Sequence, residues 1–132
     1  MRRFLVLISF LLTAQLTVAA EDKVAPPKVT KIGDPAPADA PVKDIEVTAK
    51  KYEFAPAVIE APARSVVRVH LKAVDREHGF EMKAFKNSCV KFNPKETATA
   101  EIYMDKPGEY EFHCCNFCGL GHGKMKGKLV IK

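Results

Sequence analysis

The chain has 132 residues, which is enough for one small domain with a single hydrophobic core. Its formal charge of +5 comes from 21 basic and 16 acidic residues, and no basic stripe with interleaved aromatic residues appears, so we expect no nucleic-acid partner. Three of its four cysteines are almost adjacent, a spacing that favours a metal site over a disulfide framework.

The first 20 residues have the layout of a secretory signal peptide. Arg2 and Arg3 form a short basic head, residues 4–12 are mostly apolar, and residues 18–20 are small and suited to cleavage. The apolar run is shorter than the roughly 20 residues that a membrane span needs. We therefore expect cleavage, no transmembrane domain after cleavage, and a periplasmic or secreted location.

Residues 21–43 read as a linker rich in proline and alanine. They hold five of the nine prolines and no aromatic residue, and proline favours an extended, semi-rigid chain without a core. The alternative is that residues 29–32 pair as an edge strand. We place the folded domain at residues 44–132.

From residue 44 onward, apolar and polar residues alternate with the period of a β-strand. In "SVVRVHLKA", for example, Val67, Val69 and Leu71 share one face. Turn sequences such as "FNPKE" and "DKPGEY" separate the alternating segments, and no segment has a helical period of adequate length. The pattern predicts an all-β fold, an antiparallel sandwich of about eight strands.

The strongest functional signal is the C-terminal stretch "YEFHCCNFCGLGHGKMKGKLVIK". Cys114, Cys118, His122 and Met125 follow the spacing Cys-x3-Cys-x3-His-x2-Met, in a loop between two predicted strands. Thiolate, imidazole and thioether groups are soft ligands that select copper, zinc or iron–sulfur clusters. Methionine favours copper, because zinc sites rarely use a thioether.

This loop needs a further ligand from elsewhere in the chain, and His78 in "DREHGFEM" is the best candidate. It follows a predicted strand, and Gly79 beside it permits a close approach by another segment. In a sandwich, this turn can lie at the same end as the C-terminal loop.

Together these motifs resemble the cupredoxin family, and more closely the binuclear copper-A (CuA) domain of cytochrome c oxidase subunit II. "HGF" followed later by C-x3-C-GLGH-x2-M, with "KPGEY" shortly before the cysteines, is similar to the signature of that domain. The resemblance covers residues 44–132 and implies a Greek-key cupredoxin sandwich. Mononuclear blue-copper cupredoxins lack the earlier cysteine, here Cys114.

The resemblance also implies a set of metal ligands and two copper ions. The ligands would be His78, Cys114, the backbone carbonyl of Asn116, Cys118, His122 and Met125. Both thiolates would bridge the two coppers, and each copper would take one histidine. Sharing one unpaired electron across the pair keeps bond-length changes small, which suits fast electron transfer.

Two departures from subunit II bear on the function. The family's two membrane helices are replaced by the signal-like segment, and its tryptophan-rich stretch reads only "KKYEFAP" in a chain without tryptophan. We therefore expect an exported electron carrier, not an enzyme, whose partner is a redox protein such as a c-type cytochrome or a terminal oxidase or reductase. Alternatives are a periplasmic copper-handling protein, a mononuclear cupredoxin and a structural zinc site.

The other histidines and cysteines are expected outside the site. His70 reads as a solvated strand residue, and His113 as a surface or packing residue. Cys115 is interpreted as a spare loop residue, with a disulfide to Cys89 or a role as alternative ligand left open. Cys89 is interpreted as a small buried apolar residue.

Four apolar side chains are assigned to the core: Tyr52, Phe54, Met82 and Met104. The lysines at 124, 126, 128 and 132 form a positive terminus without intervening acids. This is interpreted as a solvated face that would steer an acidic partner if it bordered the metal.

Overall fold

The computed structural model describes residues 27–132, so the predicted signal peptide and its cleavage site lie outside the described part of the chain. Within it, ten strands and one short 3₁₀ turn form two five-stranded sheets. The strands are β1 (Lys28–Gly33), β2 (Val42–Lys50), β3 (Glu53–Ala55), β4 (Val58–Ala61), β5 (Val66–Ala73), β6 (His78–Met82), β7 (Val90–Phe92), β8 (Ala98–Tyr103), β9 (Gly108–His113) and β10 (Lys126–Ile131). Among the described residues there is no helix with the length and apolarity needed to cross a membrane.

The two sheets enclose a common core. Strand order is β1-β8-β5-β2-β3 in the first sheet and β4-β10-β9-β6-β7 in the second. The alternation read from the sequence accounts for the packing: Val67, Val69 and Leu71 of β5 are fully buried, while the residues between them are half-buried. Burying each such side chain contributes about 1.5–3 kcal/mol. The predicted β-sandwich is therefore confirmed.

The pairing of the strands differs from the fully antiparallel arrangement that we expected. β2 pairs with β5, β1 with β8 and β4 with β10 in the parallel direction. Alternation shows which face of a strand is buried but says nothing about the direction of its neighbour. Between β2 and β5 the chain passes through β3 and then through β4 of the other sheet, which allows β5 to return parallel to β2.

The segment interpreted as a linker contributes a strand. β1 pairs with β8 over its whole length, from Lys28 opposite Ala98 to Gly33 opposite Tyr103, and Ile32 is buried in the core. Residues 28–33 are therefore not a linker outside the core; they form the edge strand that was the alternative interpretation. With a single buried side chain, the strand carries almost no alternating pattern from which it could be recognised.

Below the metal candidates lies a cluster of aromatic rings. Phe54, Phe80 and Phe112 have ring centroids 4.8–6.1 Å apart. Met82 and Met104 are buried as predicted. Because Phe80 lies in β6 and Phe112 in β9, this packing holds together the strand that carries His78 and the strand that leads into the loop of residues 114–125.

Candidate metal centre

The loop of residues 114–125 leaves the second sheet and re-enters it at the same place. Lys126 at the start of β10 pairs with His113 at the end of β9, so both ends of the loop rest on one rigid ladder. The Cys114 N–H donates to the Met125 carbonyl over 3.0 Å and closes the base. Cys114 and Met125, at opposite ends of the loop, thus become neighbours.

The Cys118 thiol lies at the centre of the cluster. Its Sγ is 3.8 Å from Cys114 Sγ, 3.7 Å from His122 Nδ1 and 3.8 Å from Met125 Sδ. Cys114, Cys118 and Met125 are buried, whereas His122 is half-buried. The loop therefore brings its four predicted metal-binding side chains together.

His78 reaches the cluster from β6. Glu81 of that strand pairs with His113, so His78 lies beside the first residues of the loop, and one of its ring nitrogens is within 4.8 Å of both thiol sulfurs. Nε2 lies 2.7 Å from Asp75 Oδ1. Nδ1 is buried and has no hydrogen-bond partner among the described residues. It is the ring nitrogen left for a metal.

The backbone of Asn116 completes the set. Its carbonyl oxygen accepts a hydrogen bond from the Cys114 thiol over 3.0 Å, so this oxygen points towards the Cys114 sulfur. His78, Cys114 and Cys118 thus place ligand atoms within 4.8 Å of one another, and Asn116, His122 and Met125 each lie against one of the two thiol sulfurs.

The surroundings of the Cys118 sulfur favour its protonated thiol form in the metal-free protein. Burial raises the pKa of the Cys118 thiol to about 11, the neighbouring Cys114 raises it as well, and Arg76 acts in the opposite direction. Burial also raises the pKa of Asp75, but hydrogen bonds from His78 and the Lys51 amide outweigh it and hold that pKa below its usual value. Metal uptake at neutral pH must therefore displace a thiol proton.

These residues fit a soft metal ion. Two thiols, a thioether and imidazole groups are the donors that copper, zinc and iron–sulfur clusters prefer. The unpartnered Nδ1 of His78 supports this fit, because a buried polar atom without a hydrogen bond destabilises the fold unless another partner, such as a metal ion, binds it. The Asp75 contact fixes the ring orientation, as carboxylates commonly do for metal-binding histidines.

The assignments of Cys89 and Cys115 are corrected by the structure. Cys115 is neither spare nor a ligand: it forms a disulfide with Cys89, across a separation of 26 residues. Cys114 and Cys118 remain free. The Cys115 side chain lies against Gly79, where an added Cβ would lie 2.4 Å from Cys115 Sγ. Gly79 thus permits the close approach that we predicted.

The other two histidines lie outside the cluster, as expected. His70, on the first sheet, places Nε2 2.7 Å from Asp44 Oδ1 and is partly exposed. His113 places Nε2 3.4 Å from Glu81 Oε2. Neither histidine belongs to the group that could hold a metal in the described part of the chain.

Two residues that contact the candidate site, Asp75 and Tyr52, were not predicted there. Asp75 stands three positions before His78 in "DREH", a spacing that could have indicated the contact. Tyr52 is not a core residue: it is 38% exposed and covers the ligand loop, because an added Cβ at Gly121 would lie 2.4 Å from its ring. Nothing local in the sequence indicates this contact between Tyr52 and Gly121, because the two residues are far apart along the chain.

The outer surface of the loop is apolar with a basic edge. Phe117 is 69% and Leu120 fully exposed, and the Phe117 ring lies 5.8 Å from the His122 ring. Lys124 lies in the 3₁₀ turn of the same loop. The exposed Phe117 ring is therefore a neighbour of the half-buried His122.

Comparisons with known proteins identify relatives of this chain. A family model described as a cupredoxin-like domain matches residues 4–131. The chain is 32% identical to a cytochrome c oxidase subunit 2 of Thermus thermophilus over 98% of this chain and 83% of that protein. A second T. thermophilus protein of that name is 33% identical, over 67% of this chain and 64% of its own length.

Solved structures give the same fold. A heme-copper terminal oxidase dimer includes a chain that matches with a TM-score of 0.61 and 26% identity, over 83% of this chain and 81% of that one. The periplasmic domain of subunit II of cytochrome oxidase from Bradyrhizobium japonicum matches with a TM-score of 0.58 and 19% identity, over 73% and 86%. The second likeness bears on the fold alone.

Proposed function

Because the chain belongs to the cupredoxin-like family and is homologous to cytochrome c oxidase subunit 2, we propose that it is an exported electron carrier with a binuclear, CuA-type copper centre. The coarser assignment, a copper-binding electron-transfer domain, follows from the family. The observation that carries the finer one is the pair of buried, free thiols with sulfurs 3.8 Å apart. A mononuclear site uses one such thiolate, and a second one suits a bridged pair of ions.

The proposed ligands are His78, Cys114, the carbonyl of Asn116, Cys118, His122 and Met125. Bound copper would supply a one-electron redox couple. The protein's part is to keep these donors in place: the sheet ladder fixes both ends of the loop, and Asp75 fixes His78. Burial of both sulfurs excludes water, which limits the rearrangement that a change of charge would demand.

Copper loading of the metal-free protein tests this proposal. We expect two copper ions per chain by metal analysis, and an electron paramagnetic resonance spectrum in which one unpaired electron couples to both copper nuclei. One copper per chain with the electron on a single nucleus would instead identify a mononuclear cupredoxin. Tight Cu(I) binding without electron exchange with a c-type cytochrome would identify a copper-handling protein.

Replacing Asp75 with asparagine should lower copper affinity about tenfold, because the carboxylate both orients His78 and increases its basicity. Competition with a chelator of known affinity measures the effect. Asp44→Asn is the matched control: Asp44 makes an equally short contact, 2.7 Å, to His70 on the other sheet. Equal losses in both variants would contradict the role given to Asp75.

Met125→Leu should keep copper bound but shift its reduction potential, because a thioether is the weakest donor of the set and mainly tunes the centre. Met104→Leu, at a buried core position directly after β8, serves as the control for repacking. Redox titration of the copper-loaded wild type and both variants measures their reduction potentials. If Met125→Leu bound no copper, the thioether would have to be regarded as an essential ligand.

We further propose that the partner is a redox protein with an acidic face, docking on the exposed Phe117 and Leu120. Lys124 flanks these side chains, and Arg76 is close enough to act on the Cys118 thiol. A basic edge around an apolar centre attracts an acidic rim and accelerates encounter. A c-type cytochrome or a terminal oxidase or reductase with such a face would fit.

Charge reversal at Lys124 should slow electron transfer to an acidic c-type cytochrome by about tenfold at low salt. The difference should vanish at high salt, where exposed charges are screened. Lys106→Glu is the control, because Lys106 precedes β9 and so lies at the end of the sandwich remote from the loop. Stopped-flow rates that are insensitive to both Lys124→Glu and salt would refute the docking surface.

A further inference from the structure

The four cysteines of this domain are used in two different ways. Cys89 and Cys115 are bonded, whereas Cys114 and Cys118 are free and buried. Cys115 directly follows Cys114, and the two free sulfurs are only 3.8 Å apart. Four cysteines allow three complete pairings. All three would consume both thiols that the metal site needs, so a usable site requires what the structure shows, one bond and two free thiols.

The disulfide lies where it can control the ligand loop. Cys89 immediately precedes β7, whose Phe92 pairs with His78, and Cys115 is the second residue of the loop. The bond therefore joins the hairpin that carries His78 to the segment that carries Cys114 and Asn116. Cys115 Sγ is packed so tightly against Gly79 that an added Cβ there would lie 2.4 Å away.

We propose that the Cys89–Cys115 disulfide selects which thiols the protein offers to metal. It withdraws Cys115 from the ligand loop and holds that loop closed over Cys114 and Cys118, which stay reduced. This inference rests on the proposed function only for the identity of the metal. The selection of thiols is a property of the metal-free protein.

The bond can form by exchange with a low-molecular-weight disulfide such as oxidised glutathione. One thiolate of the pair attacks a glutathione sulfur and releases one reduced glutathione, and the other thiolate then attacks the mixed disulfide and releases the second. Two protons leave the protein, and two electrons pass to glutathione. Cys89 and Cys115 are partly exposed residues, whereas Cys114 and Cys118 are at most 1% exposed, so the folded protein shields the second pair from this oxidant more completely than the first.

The test is to refold the full chain in a glutathione redox buffer without metal and to locate its bonds and free thiols by alkylation and mass spectrometry. The wild-type chain should hold the Cys89–Cys115 bond, with Cys114 and Cys118 alkylated only after denaturation. In Cys89→Ser, Cys115 has lost its partner and should be found bonded to Cys114 or Cys118. In Cys89→Ser/Cys115→Ser, alkylation of the two remaining thiols under native conditions should be about tenfold faster, because the loop opens more often.

Free and protected Cys114 and Cys118 in both variants would overturn the proposal. Circular dichroism shows whether the variants fold. If they do not fold, the test rests on the bonds found in the wild-type chain, where a predominant Cys114–Cys118 bond would refute the proposed selection of thiols. Copper counting separates this inference from the proposed function. A wild-type chain with the expected thiol map that takes up no copper pair refutes the binuclear centre alone, and two coppers bound despite unprotected thiols refute the selection alone.

Discussion

Replacing Cys114 with serine should halve the copper content of the loaded protein. Cys118, His122, Met125 and His78 remain as a ligand set for one copper, whereas two ions are held close together only if both thiolates bridge them. The unpaired electron should then couple to a single copper nucleus. Metal analysis and electron paramagnetic resonance of the same sample measure both effects.

Two further variants serve as controls for that result. Cys118→Ser should abolish binding, because the Cys118 sulfur is the one that contacts Cys114, His122 and Met125. His70→Gln removes a partly exposed histidine outside the cluster and should change only adventitious copper binding. Retention of two coppers in Cys114→Ser would show that the centre is not bridged by this thiolate.

Replacing Gly79 with alanine should destabilise the metal-free protein by about 3 kcal/mol and weaken copper binding with it. The new Cβ would lie 2.4 Å from Cys115 Sγ and 2.9 Å from the Asn116 backbone nitrogen, so the loop must move away from β6. That movement separates His78 from the ligands of the loop. Urea unfolding and copper titration measure the two losses.

Gly123→Ala is the matched control within the same loop. Apart from its two chain neighbours, no atom of residues 27–132 lies within 4 Å of a Cβ added at Gly123. The stability of this variant should therefore stay within about 0.5 kcal/mol of wild type, with unchanged copper binding. Similar losses at both glycines would mean that the loop tolerates no side chain anywhere. The close approach at Gly79 would then not be the cause.

The sequence alone predicted the features that depend on local pattern. Alternation in β5 identified its buried face, because the side chains of a strand point alternately to its two sides whatever the partner strand is. The spacing of Cys114, Cys118, His122 and Met125 indicated a soft metal site, because a short loop between adjacent strands keeps its own residues close together. The need for a further ligand indicated His78, and the resemblance to the CuA domain added the Asn116 carbonyl. The structure places a ring nitrogen of His78 within 4.8 Å of both thiol sulfurs and the Asn116 carbonyl oxygen 3.0 Å from Cys114 Sγ.

Only the tertiary structure decided the contacts between segments distant in sequence. The disulfide between Cys89 and Cys115 depends on how β6 lies between β7 and β9, and four cysteines in a sequence do not specify that arrangement. The position of Tyr52 over the ligand loop depends on packing between the two sheets, and the place of β1 beside β8 depends on a parallel pairing. Such contacts are set by strand register and sheet packing, which become defined only when the whole core assembles, so no local pattern encodes them.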